Sequence, residues 1–179
     1  MQASAELICH PAIARQAVRR VGAEIGWDPQ GHGLRLSFVV GGAPGELRFP
    51  PPGPAVRRDD LWRETCFELF LRPPAGTAYR EFNFAPSGAW AAWTFADRRS
   101  GRRDLELPAA PAITCRYDVA QWQVEIRLPL APEPALRAGL SAVLQERDGE
   151  LSYWALAHGG PRQDFHDPAT QTLLLEPLA

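Results

Sequence analysis

Residues 61–95 read LWRETCFELFLRPPAGTAYREFNFAPSGAWAAWTF, three strand-like runs (61–71, 79–85 and 89–95) parted by the turn formers of 72–78 and by Pro86-Ser87-Gly88. Successive side chains on a strand point to opposite faces. Read as one strand from Leu61, the first run puts Thr65, Phe67, Leu69 and Leu71 on one face and Trp62, Glu64, Cys66 and Glu68 on the other. In the second run Phe82 and Phe84 point inward while Tyr79, Glu81 and Asn83 point outward. The expectation is a β-meander with an apolar face and a face bearing a tryptophan, carboxylates and an amide.

The same two-residue period extends outward along the chain. Leu34, Leu36, Phe38 and Val40 alternate with polar or small residues, and residues 24–27 with the turn cluster 28–33 supply a hairpin partner. Residues 41–60, with Pro50-Pro51-Pro52 inside them, read as a loop that delivers Leu61. Trp122, Val124, Ile126 and Leu128 alternate with Gln121, Gln123, Glu125 and Arg127 until Pro129 ends the run. Residues 139–146 and 151–157 flank Arg147-Asp148-Gly149-Glu150, a tight hairpin turn, and 172–175 read as a last strand. Residues 5–10 read as a strand, whereas residues 11–20 fit a helical turn or a strand opening equally. About ten short strands and no sustained helical period predict an all-β, antiparallel two-sheet β-sandwich, one domain over residues 1–179. The expected core includes Phe67, Leu69, Phe82, Phe84, Trp122, Val124, Ile126, Val143, Trp154 and Leu156.

At 179 residues the chain is long enough to bury a full core without a disulfide or a metal. Its 19 basic and 21 acidic residues leave a formal charge of −2, which gives no field to gather nucleic acid or an anionic membrane. All the basic residues are arginine, an effect of composition shared with the abundance of Gly, Pro and Ala. No apolar stretch approaches the ~20 residues that span a bilayer. Cys9, Cys66 and Cys115 are odd in number and share no CxxC spacing, and residues 1–30 lack a basic start followed by an apolar run. These features predict reduced thiols and a cytoplasmic protein.

The phrases DLWRETCFELFL (60–71), YREFNFAPSGAWAAWTF (79–95), WQVEIRLPL (122–130), GLSAVLQERDGELSYWALAH (139–158) and DFHDP (164–168) resemble, in that order, the bacterial DOMON-like group related to family 9 carbohydrate-binding modules. The resemblance spans about residues 34–175. It implies a jelly-roll-like sandwich. In the sugar-binding relatives tryptophans hold a terminal sugar while carboxylates, amides and basic groups bond its hydroxyls, and the positions matching that pattern are Trp62, Glu64, Glu68, Arg80, Asn83 and Trp90.

Each candidate has a structural counterpart. Trp62, Trp90 and Trp93 suit a stacking platform or a core; Trp90 and Trp93, three apart, face opposite sides of a strand, so only one of them lies on a binding face. Glu64 and Glu68 stand about 13 Å apart along a strand, which disfavours the close carboxyl pair of a glycosidase and leaves hydroxyl binding or ion pairs with Arg63 and Arg80. The segment from His158 to Asp167 reads as a structured loop beside the ligand face, with metal ligation as its alternative; Asp59 and Asp60 read as a solvated turn, with calcium binding as theirs. Cys66 and Ser87 lack the surroundings of an activated nucleophile, and no phosphate-binding glycine loop is present. The only methionine is Met1, which argues against Met/His haem ligation and leaves a bis-histidine site open. The reading is therefore a non-catalytic domain, without a cofactor, that binds a carbohydrate or related small polar ligand. The alternatives are a haem or redox-cofactor domain, an enzyme acting on a sugar derivative, and a protein-interaction domain.

Overall fold

The computed structural model describes residues 2–13 and 17–178, and about 49% of the chain is strand with almost no helix. Among the described residues are twelve strands: β1 (Gln2–Cys9), β2 (Val18–Trp27), β3 (Leu34–Gly42), β4 (Cys66–Arg72), β5 (Tyr79–Phe84), β6 (Trp90–Phe95), β7 (Arg103–Asp104), β8 (Ala112–Tyr117), β9 (Gln121–Leu128), β10 (Leu136–Gln145), β11 (Leu151–Ala155) and β12 (Leu173–Leu175). The Pro/Gly-rich segment between β3 and β4 holds no strand, as its proline content dictates. Met1, the residue on which the haem argument turned, lies outside the described residues, as do Ala14 to Gln16 within the ambiguous segment 11–20.

The strands form one antiparallel ladder in the order β7-β6-β5-β4-β10-β11-β1-β2-β3-β9-β8, with β12 beside one end of β10. The expected two separate sheets are thus joined. β1 makes the join, since its residues 2–7 pair with β2 while Ile8 and Cys9 pair with Ala155 and Trp154 of β11. Strong curling then brings the two arms face to face: Phe38 of β3 packs on Phe67 of β4 with ring centroids 4.8 Å apart. Leu34, Phe38, Val124 and Ile126 from one arm and Phe67, Leu69, Phe82 and Phe84 from the other share this inner core, each at most 1% exposed. Burial on that scale contributes roughly 2–3 kcal/mol per large side chain before conformational entropy is charged against it.

The arm built from β6, β5, β4, β10 and β11 is covered on its outer face as well. Cys66, Phe70, Tyr79, Trp93, Phe95 and Val143 form a second apolar layer there, closed by Leu61 and Phe165. Every residue from Cys66 to Leu71 is consequently buried, and alternation in β4 separates two apolar layers instead of core from solvent. This corrects the expected core: Val143 belongs to the outer layer, and the half-buried Leu156 packs against the inner one.

The start of β4 is a second correction. Leu61–Arg63 form a 3-10 turn after Asp60, whose φ of 61° is left-handed, and β4 begins only at Cys66. Leu61 is driven under the outer layer, at 0% exposure, and that anchor rotates the turn away from the strand direction. Trp62 and Glu64 are therefore not strand positions.

Candidate functional site

A cavity of about 610 Å³ opens on the outer face of the arm. Its floor comes from the strands: Glu68 of β4, Glu81 of β5, Trp93 and Phe95 of β6, Val143 of β10 and Tyr153 of β11. Asp60 and Trp62 of the 3-10 turn form one wall, and Arg99 and Arg102 between β6 and β7 another. Gln163, Phe165 and His166 complete it from the segment after β11, placing the DFHDP loop beside the polar face.

Two of the lining residues are buried carboxyls. Pairing sets Glu68 opposite Asn83 and Glu81 opposite Phe70, so Glu68 and Glu81 are diagonal neighbours on adjacent strands, on one face. They are 3% and 6% exposed. Burial pushes Glu68 well above the usual carboxylate range, the charge of Glu81 adds to this, and a hydrogen bond from the Ser141 hydroxyl to Oε2 (3.3 Å) opposes it. Burial likewise pushes Glu81 up to about 7, against the Asn83 amide that donates to Oε1 at 3.0 Å and against the more distant Arg99 and Arg102. Like charges this close resist ionising together, so the pair holds a proton far more readily than either group would alone.

His166 is clamped beside them. The Tyr79 hydroxyl lies 2.6 Å from Nδ1, and the Arg99 backbone N–H donates to the same hydroxyl oxygen at 3.2 Å. Burial raises the Tyr79 phenol to about 12, so it keeps its proton, and burial aided by Arg99 lowers His166 to about 4, so the ring is neutral near pH 7. Among the described residues Nδ1 is the acceptor available to the phenolic proton. The ring hydrogen then sits on Nε2, 3.7 Å from Glu81 Oε2.

The arginines on the rim have partners of their own. Arg98 and Arg99 both donate to Asp164, at 2.6 and 2.9 Å, and although burial would raise that carboxyl, the two guanidinium groups outweigh it and lower it. Arg102 reaches Asp59 at 3.4 Å and lies 5.2 Å from the centre of the Trp93 ring. Arg63 lies 4.9 Å from the Trp62 ring, and Trp62 remains 45% exposed at the cavity mouth.

Of the six residues singled out from sequence, the structure brings Trp62 and Glu68 to this cavity, with Asn83 buried behind Glu81. Glu64 points outward to Arg58 at 3.3 Å, because it leaves the 3-10 turn before β4 starts. Arg80, on the opposite face of β5 from Glu81, forms a two-pronged pair with Glu133 at 2.6 and 3.0 Å. Trp90 is in the inner core, with the Arg57 guanidinium 5.3 Å from its ring centre, while Trp93, three residues on, faces the cavity. Of the two tryptophans that compete for a stacking platform the motif match selects Trp90, whereas the structure puts Trp93 at the cavity; Glu81, on the outward face of its strand, is a site residue that the motif match omits. Tyr153, Arg99 and Arg102 carried no such signal, because tertiary contacts alone bring them in, whereas His166 belongs to the segment expected beside the ligand face. His158 lies elsewhere, its Nε2 2.8 Å from the Ile8 carbonyl oxygen. No group of three or more His, Cys, Asp or Glu among the described residues is placed to hold a metal ion.

No family model matches the chain, and no curated protein matches it in sequence. Solved structures do match in shape. A candidate carbohydrate-binding protein from Bacteroides uniformis superposes with a TM-score of 0.61 at 16% identity, over 87% of this chain and 77% of that one. A family 9 carbohydrate-binding module from Caldicellulosiruptor kristjanssonii in complex with cellotriose gives 0.60 at 9% identity, over 95% and 80% of the two chains. A family 9 module from the same organism in complex with glucose gives 0.56 at 10%, over 82% and 70%. The fold is similar to that of family 9 carbohydrate-binding modules. At these identities the likeness to family 9 modules is one of backbone architecture, and the chemistry of this cavity has to be read from its own residues.

Proposed function

We propose that this protein binds a carbohydrate or a closely related polar ligand in the cavity between Trp62 and His166. The observation that carries the reading is the combination, within one cavity, of aromatic side chains with two buried carboxyls that accept or donate hydrogen bonds to hydroxyls. The fold accords with it, since two of the structurally similar modules are complexes with glucose and cellotriose. On this reading Trp62 stacks on a sugar face at the mouth, and Glu68 and Glu81 bond hydroxyls at the floor, with Asn83 holding Glu81 in place. The curled sheet is read as a jelly-roll-like sandwich and the chain as DOMON-like, on the motifs quoted above, with the protein acting inside the cell. Titration calorimetry of glucose, cellobiose and cellotriose against the wild type and Trp62→Ala tests the site: saturable binding that weakens in the variant supports it, and heat-free titrations with every saccharide refute it.

A second reading is favoured by one observation, the diagonal Glu68 and Glu81 pair. An acid that keeps its proton beside one that gives it up is the equipment of glycoside hydrolysis. Release of nitrophenol from aryl glycosides, lost in Glu81→Gln, is the measurement that selects this reading over simple binding.

A further inference from the structure

We propose that the cavity takes a sugar bearing a free amine, its ammonium group seated between Glu68 and Glu81. The inference rests on the carbohydrate-binding reading and names the ligand class. Its basis is a pair of buried carboxyls beside which the protein places no cation within ion-pair distance among the described residues. Glu68 and Glu81 are both more than nine-tenths buried and line the same cavity, yet neither has an arginine within ion-pair distance among the described residues. Glu68 receives one hydroxyl, from Ser141, and Glu81 one amide, from Asn83, with the neutral His166 ring at 3.7 Å. Buried acids are ordinarily matched by a cation of the same protein.

The cations that share the cavity are already engaged. Arg99 is held by Asp164 at 2.9 Å, and Arg102 by Asp59 and the Trp93 ring. Both remain near enough to ease the ionisation of Glu81 without neutralising it. The other ionisable groups on this face stay protonated: the phenols Tyr79, at about 12, and Tyr153, also raised, and the Cys66 thiol, pushed up by burial; the Asp60 carboxyl stands at the rim.

Around this pair stand Trp62, Trp93, Phe95, Tyr153 and Phe165, and aromatic rings attract an organic cation while offering little to a hydrated metal ion. The exchange balances in charge. In the free protein burial keeps the proton on Glu68 and holds that of Glu81 up to about pH 7; an entering R–NH3+ supplies the positive charge instead, and each carboxyl that ionises against it sends one H+ to solvent. A neutral hydroxyl can bond either carboxyl but cannot relieve the repulsion between them.

The test is calorimetry of the full chain with D-glucosamine, D-glucose and N-acetyl-D-glucosamine, somewhat below neutral pH and in two amine-free buffers of different ionisation heat. The expected result is that glucosamine binds at least about tenfold more tightly than glucose, the worth of one charge-assisted hydrogen bond. The N-acetyl sugar should lose that gain, and the heat of glucosamine binding should differ between buffers in the sense of proton release. Glu68→Gln and Glu81→Gln should each erase the preference for the amine. Should either variant fail to fold, the proton count and the amine preference of the wild type decide. Equal affinity for glucose and glucosamine, or binding of the amine without proton release, overturns the inference and leaves the carbohydrate site standing. Absence of binding by all three sugars overturns both.

Discussion

The Tyr79 hydroxyl meets His166 Nδ1 at 2.6 Å and so ties the loop after β11 to the strand that carries Glu81. The contact links a floor strand to the wall that closes the cavity. Tyr79→Phe removes it while keeping the ring stacked on Phe95, whose centroid is 4.7 Å away. We expect a loss of about 1 kcal/mol in stability and faster amide exchange in residues 163–170. Nitrogen shifts of His166 in the wild type should report the Nε2–H tautomer, and the same tautomer in equal population in Tyr79→Phe would contradict the assignment.

Stability should fall as pH rises through the range set by the carboxyl pair. Glu81 titrates near 4.5 when unfolded and at about 7 when folded, so its contribution is fully present below about 4.5 and is lost as pH climbs towards 7, and Glu68 shifts in the same direction. His166 acts in the opposite sense: folded at about 4 against 6.5 unfolded, it stabilises fully above 6.5 and loses that contribution as pH falls towards 4. Glu81→Gln removes its own part of this slope and leaves those of Glu68 and His166. Relative to wild type the variant should gain of the order of 2 kcal/mol between pH 5 and pH 8, read by denaturant unfolding at the two pH values; parallel behaviour of both proteins would rule this out.

Trp62 and Trp90 should respond oppositely to truncation. Trp62 is half exposed at the cavity mouth, so Trp62→Ala should alter stability by less than about 1 kcal/mol while weakening saccharide binding. Trp90 and Phe84 lie in the inner core, and alanine at either should cost about 3–5 kcal/mol. Urea unfolding alongside titration separates the two effects, and a large stability loss in Trp62→Ala would show the turn to be structural.

Gly33 should resist substitution. It ends the turn between β2 and β3 at φ +132°, where a β-carbon would run into the Leu128 carbonyl oxygen of the neighbouring strand. Gly33→Ala should lose more than about 1 kcal/mol. Gly45 has open space around it and no left-handed φ, so Gly45→Ala serves as the control.

Much of the architecture was legible in the residues. Alternation at 34–40 and 121–128 marked strands that are buried on one side in the way the pattern requires, and Pro86-Ser87-Gly88 and Arg147-Asp148-Gly149-Glu150 marked the turns from β5 to β6 and from β10 to β11. Within β5 the outward set Tyr79, Glu81 and Asn83 was assigned to the correct face. These readings succeed because strand periodicity is a local property, expressed by side chains one or two residues apart.

What lay beyond the sequence depends on contacts between distant segments. Nothing local to residues 61–65 reveals that Leu61 buries itself under a second apolar layer, turning Trp62 towards a cavity and Glu64 away from it. Nor does either strand alone reveal that Glu68 and Glu81 are neighbours, since that follows from the register of β4 on β5. The sequence by itself determined an all-β chain, its strand faces and most of its inner core, because burial on a pleated strand repeats every second residue. Only the tertiary structure decided that one curled sheet carries both arms, which residues of the loop nearly a hundred residues downstream line the cavity with Glu68, and which two carboxyls are buried side by side there. Register and loop closure are set by packing across the whole chain, and the field felt by a buried acid is set by the neighbours that packing brings to it.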